Sequence, residues 1–167
     1  GSLSAGGVKT YFGIPFAAPP IRENRWREPQ PARAWDGILT ATKKPAECVQ
    51  GLRSPSINHY FGDELAGEDC LYLNVWTKSL RGKKPVMVWF HGGGFAYGSG
   101  QWPMYDGTNL AEQDVVIVSV NHRLSALGYL WLGDQGEFAN SGAAGMDDLV
   151  ACLRWVKTNV GAFGGDP

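Results

Sequence analysis

Val86-Met87-Val88-Trp89-Phe90-His91-Gly92-Gly93-Gly94-Phe95 sets a continuous apolar run directly before three consecutive glycines. An apolar run without alternation is the pattern of a strand covered on both faces. Glycine lacks a Cβ, so glycines in a row let successive peptide planes turn and present backbone N–H groups to a ligand. The carboxyl end of a buried strand is also where α/β proteins bind ligands. Two phosphate-binding readings fail on the residues. A P-loop needs Lys-Ser or Lys-Thr after its glycines, and none follows Gly94. The dinucleotide fingerprint needs glycine at relative positions one, three and six, and the sixth residue counted from Gly92 is Tyr97. A plain glycine turn and an oxyanion hole remain. In the latter, backbone N–H groups stabilise the negative oxygen of an acyl-transfer intermediate, and an HGGG loop after a strand fits it.

Outward from this loop the chain reads as alternating elements. Leu71–Trp76 is rich in β-formers and predicts a strand; Arg81–Pro85 is a charged turn; Leu110–Gln113 suggests a short helix; Val115–Val120 is the next buried strand. Met146, Leu149, Val150, Leu153, Val156 and Val160 fall at helical spacing and predict one apolar, core-facing stripe. Asp147 and Asp148 sit in the first turn and Lys157 near the last, as the helix dipole prefers, and Gly161 is a candidate stop. Strand and helix in this order imply parallel pairing with right-handed crossovers. Residues 1–56, rich in proline and glycine, predict an ordered loop wrapped on the core and anchored by Phe16, Trp26 and Trp35.

The chain has 167 residues, 44% hydrophobic and 19% charged, as expected of a globular fold. A formal net charge of −1 leaves no basic footprint for nucleic acid. No apolar run reaches the length of a membrane span. Cys48, Cys70 and Cys152 match no zinc signature, and neither a metal nor a cofactor is expected. Their spacing alone is equally consistent with a Cys48–Cys70 disulfide and with three buried thiols.

Several motifs, in order, resemble the N-terminal portion of a type B carboxylesterase, the carboxylesterase/cholinesterase family of the α/β-hydrolase superfamily. Phe12-Gly13-Ile14-Pro15-Phe16-Ala17-Ala18-Pro19-Pro20 with Arg25-Trp26 is similar to the family's opening GIPYAxPP…RF. Glu68-Asp69-Cys70-Leu71-Tyr72-Leu73-Asn74 matches EDCLYLN, and His91–Phe95 matches the oxyanion loop. Asn121-His122-Arg123 and Ala126-Leu127-Gly128-Tyr129-Leu130 resemble NYR…ALGFL; Leu153–Val160 and Phe163-Gly164-Gly165-Asp166-Pro167 resemble the helix and turn that lead to the nucleophile.

The resemblance implies a partial α/β-hydrolase fold, with a mostly parallel central sheet and flanking helices. Residues 1–167 would be the N-terminal part of one catalytic domain, stopping before the nucleophile elbow. It implies acyl transfer from a small carboxylic ester through an acyl-serine. The oxyanion hole would use the N–H groups of Gly93 and Gly94, in a loop with His91, Gly92 and Phe95. The rest of the hydrolase domain would be the chain's other partner. It also implies a Cys48–Cys70 disulfide, with Cys152 free, and an Arg25–Glu68 ion pair. A disulfide points to an oxidising, secreted or periplasmic setting. No triad member is expected within the chain. Ser99 lies in Gly98-Ser99-Gly100, which is not Gly-x-Ser-x-Gly, and His91 and His122 precede any nucleophile, whereas the fold's order is Ser, acid, His.

Some positions depart from the family pattern. His122 stands where tyrosine is frequent, and Leu124-Ser125 where Val-Gly is frequent. Gly145-Met146-Asp147-Asp148-Leu149 replaces LLDQR, removing the arginine expected to pair with Asp166. Gly62–Gly67 lacks the tryptophan that cholinesterases use to stack on choline, which favours a general esterase. A non-catalytic adhesion or scaffold protein is the alternative from another class, and an inert partial fold a third. The intact HGGGF favours the enzyme.

Overall fold

Valine-rich and aromatic runs supply the sheet of the computed structural model, which describes residues 1–51 and 65–167. The strands are β1 (Ser2–Leu3), β2 (Lys9–Pro15), β3 (Glu47–Cys48), β4 (Ala66–Gly67), β5 (Tyr72–Thr77), β6 (Val86–Phe90) and β7 (Val116–Val120). A five-stranded sheet runs β1-β2-β5-β7-β6, and β3 pairs with β4 separately. The sheet is mixed here. β1–β2, β2–β5 and β5–β7 are antiparallel, while β6 and β7, joined through the short helix α1 (Thr108–Ala111), pair in parallel with Phe90 opposite Val120. Parallel pairing thus holds where a helix intervenes, as the strand–helix–strand order implies.

Both faces of the central strands are covered. Leu73, Val75, Val116, Val118 and Val120 pack with Cys152, Val156 and Val160, contributed by or next to helix α3 (Ala144–Asn159). Trp76 and Ile117 face the other way, onto Val8 and Ala111. β6 is covered on one face only: Val86, Val88 and Phe90 pack on the core, whereas Met87 and Trp89 are exposed. The continuous apolar run of residues 86–90 therefore does not mean two covered faces among the described residues.

Further expectations are corrected. Residues 1–56 are not all loop: Lys9–Pro15 is a strand paired on both sides, with a register shift between Tyr11 and Ile14 beside Gly13. Phe16 is buried and the Trp26 indole donates to the Ala126 carbonyl (3.0 Å), but Trp35 is half exposed. The buried line of α3 is Ala144, Gly145, Asp148, Cys152 and Val156, while Met146, Val150 and Leu153 are exposed. The rotation follows from Asp148, which is not an N-terminal dipole partner but a buried acceptor for Arg123. Nor does Gly161 end the helix. A 3-10 turn, Val160–Phe163, follows α3, and the left-handed residue is Gly164 (φ 79°). The stretch 62–64, part of the segment lacking the cholinesterase tryptophan, lies outside the described residues. No helix among the described residues is long and apolar enough to cross a membrane.

Candidate active site

At the end of β6 three consecutive residues take positive φ: Gly93 (127°), Gly94 (60°) and Phe95 (63°). A side chain at Gly93 would run into the Tyr97 carbonyl, so glycine is required there by space as well as by conformation. The N–H groups of Ala96 and Tyr97 donate to the Gly93 carbonyl at 3.1 and 3.3 Å, closing a turn. Because a trans peptide is planar, the carbonyl of Gly93 pointing into this turn sends the Gly94 N–H the opposite way, out of it. The preceding plane is set by His91. Its Nδ1 lies 3.0 Å from the Gly92 carbonyl, so a neutral Nδ1–H ring donates there and turns the Gly93 N–H away from the imidazole. Among the described residues no group accepts from the N–H of Gly93 or Gly94.

Behind the loop lies a buried polar platform. The His91 and His122 rings stack at 4.7 Å with planes 14° apart. His122 Nδ1 contacts the Arg123 carbonyl at 3.0 Å and the Tyr129 hydroxyl at 3.4 Å. Burial pushes the His91 pKa down to about 4, against the Gly92 hydrogen bond and helped by the neighbouring His122 ring, and burial lowers His122 as well. Burial thus favours the neutral form of both rings, and a neutral His91 ring donates from Nδ1 while its Nε2 has no partner among the described residues. Arg123 donates from Nε and Nη2 to the two Asp148 carboxylate oxygens at 2.9 and 2.7 Å, and its backbone N–H adds a third bond of 2.9 Å. Burial raises the Asp148 pKa and these Arg123 contacts oppose the rise.

The far end of the loop is pinned by two side-chain amides. Gln50 accepts from the Gly98 N–H and donates to the Gly98 carbonyl, both at 3.0 Å. Asn121 Oδ1 accepts from the Gly100 N–H at 2.8 Å and from Ser99 Oγ at 3.2 Å. Ser99 is fully buried, with its hydroxyl donating to Asn121 Oδ1. Gln50 ties the loop to the Cys48–Cys70 disulfide, which closes with Cα atoms 5.0 Å apart. Beside that disulfide Arg25 meets Glu68 through two bonds of 2.6 and 2.8 Å. Cys152 is free and buried, its thiol pushed up to about 12 by burial. Among the described residues Asp166 makes only a backbone bond, its N–H donating to the Lys84 carbonyl at 2.8 Å.

On the open side of the loop, Gly94, Phe95, Ala96, Ser125, Ala126, Tyr129 and Leu130 line a cavity of about 370 Å³. Phe95 and Tyr97 are half exposed, whereas Trp102 is buried with its indole donating to Glu47 at 2.7 Å. Sequence reading singles out the glycines and notes Asn121 and Ser125 only as motif positions, without their bonds; it misses Gln50 and the histidine stack. Asn121-His122-Arg123 directly after a buried strand is the signal that polar side chains gather there.

A family model described as "Carboxylesterase family" matches residues 2–167. The fumonisin B1 esterase of Sphingopyxis macrogoltabida is 44% identical over 169 aligned residues, covering 97% of this chain and 30% of that protein. The para-nitrobenzyl esterase of Bacillus subtilis is 42% identical, covering 96% of this chain and 33% of that protein. The crystal structure of a Geobacillus stearothermophilus carboxylesterase superposes with a TM-score of 0.90 at 44% identity, over 100% of this chain and 33% of that one. The chain therefore spans about a third of the length of these relatives, and it belongs to the carboxylesterase family, with an α/β-hydrolase fold.

Proposed function

We propose that the full-length protein carrying this chain hydrolyses carboxylic esters through an acyl-serine, and that residues 1–167 supply its oxyanion hole. The observation that carries this reading is the pair of N–H groups at Gly93 and Gly94 that no acceptor among the described residues engages. One is turned out of the loop by the His91 ring and the other by the closing turn. Donors fixed before the reaction stabilise a developing oxyanion without reorganising, and each contributes ~2.7–4 kcal/mol to lowering the barrier. Both relatives quoted above are named as esterases. The nucleophile and its base lie outside residues 1–167 in this reading, since Ser99 is locked on Asn121 and the two histidines face each other.

The test is labelling of the full-length protein with a fluorophosphonate, alongside turnover of a p-nitrophenyl ester. The expected result is stoichiometric labelling of one serine beyond residue 167, with loss of turnover. Labelling of Ser99, or an unlabelled protein that turns over no ester, would contradict the assignment; the second result is that expected of an adhesion or scaffold protein.

A further inference from the structure

Ser125 opens α2 (Ser125–Tyr129) with φ 50°, a left-handed conformation that non-glycine residues adopt sparingly. Strain of this kind persists only where surrounding contacts hold it, and here two bonds do. The Ser125 N–H donates to the Phe95 carbonyl at 2.7 Å, and its Oγ donates to the Ala96 carbonyl at 3.0 Å. These are the carbonyls of the two residues directly after Gly94. Ala96 also gives its N–H to the Gly93 carbonyl, so Ser125 braces the same turn that sets the Gly94 N–H. Phe95 is itself at φ 63°, and its strained backbone is held by the Ser125 N–H. The helix carrying Ser125 is anchored in turn. The Trp26 indole donates to the Ala126 carbonyl.

We propose that Ser125 is a positioning residue for ester hydrolysis, a two-point latch on the Phe95 and Ala96 carbonyls that holds the Gly94 N–H on the oxyanion; this rests on the proposed function above. Glycine at this position would relax the φ strain and keep the N–H bond, but it would lose the hydroxyl bond. Strain and latching are therefore separable by substitution. Gln50 and Asn121 hold the other end of the loop, at Gly98 and Gly100, so losing the Ser125 hydroxyl loosens the turn and leaves the base of the loop in place.

Two variants of the full-length protein, Ser125→Ala and Ser125→Gly, test the latch. Both lose the hydroxyl bond, and only the second relieves the strain. The expected result is a kcat roughly five- to tenfold lower in both variants with KM little changed, the size of one lost hydrogen bond. Ser125→Gly should do so with a melting temperature at or above that of Ser125→Ala. A purely architectural serine would make kcat follow the melting temperature. Amide hydrogen exchange supplies a readout independent of turnover. The Ala96 and Tyr97 amides should exchange roughly five- to tenfold faster in Ser125→Ala, while those of Val116–Val120 stay unchanged. Active wild type with unchanged kcat and exchange in both variants overturns the latch. Wild type that turns over no ester overturns the function, and the exchange rates then decide the latch alone.

Discussion

Arg123–Asp148 and Arg25–Glu68 are both two-bond arginine–carboxylate pairs, yet the first has side chains 3% and 0% exposed and the second 37% and 28%. The buried pair sits behind the glycine loop, fixing Arg123 next to the His122 that stacks on His91. The outer pair joins the N-terminal wrap to the Cys48–Cys70 corner, where a covalent bond already holds the chain. Like chemistry in unlike surroundings carries unlike weight. A buried charge without its partner keeps its desolvation cost, whereas an exposed one returns to water. The platform behind the loop is therefore where polar substitution does damage, and the wrap is where it is tolerated.

The largest expected effect is Asp148→Asn, which leaves the Arg123 guanidinium buried without its counter-charge. It should destabilise the full-length protein by about 3–5 kcal/mol, read as a shift in the denaturant midpoint at constant slope. A shift no larger than that of a surface substitution would dissolve the contrast.

Much of this was legible from the sequence, and the failures have a common cause. The glycine loop, β5, β7 and the helix Ala144–Asn159 follow from local pattern, because their periodicity and turn chemistry lie within a few residues of one another. Asp148 reads locally as a first-turn acid; only the fold brings it to Arg123, 25 residues away in sequence. Once it is buried, the apolar stripe of Met146, Val150 and Leu153 must rotate outward, which periodicity alone cannot show. Lys9–Pro15 was hidden because Gly13 and Pro15 read as loop punctuation, although Gly13 marks a register shift and Pro15 a strand end. Its Val8-Lys9-Thr10-Tyr11-Phe12 run carried the strand signal. Ser125 was visible as a departure from a frequent glycine, but its two acceptors were not.

A second effect sharpens the contrast through pH. The unfolded His91 ring titrates near 6.5, and burial holds the folded one at about 4. Between these values the unfolded state binds the extra proton. The stabilisation is therefore complete above pH ~6.5 and is lost as pH falls through about 4, on the order of 3 kcal/mol in all. His122 is shifted the same way. Denaturant unfolding between pH ~7.5 and ~4 should show this loss, and His122→Tyr should make it shallower by removing one titrating ring. An identical slope in the variant would mean that the stacked pair is not its source.

The smallest effect belongs to the wrap. Arg25→Ala removes a pair that is only partly buried, and the melting temperature in moderate salt should stay near that of the wild type. A loss approaching that of Asp148→Asn would show that exposure is the wrong criterion and that the wrap braces the site.

The central claim concerns two N–H groups, and a crystal structure of the full-length protein carrying a phosphonate or boronate adduct tests it most directly. The account predicts one adduct oxygen within about 2.7–3.1 Å of both the Gly93 and the Gly94 nitrogen, with the His91 ring still on the Gly92 carbonyl. An adduct oxygen beyond hydrogen-bond reach of both nitrogens would contradict it and leave residues 91–97 as a turn.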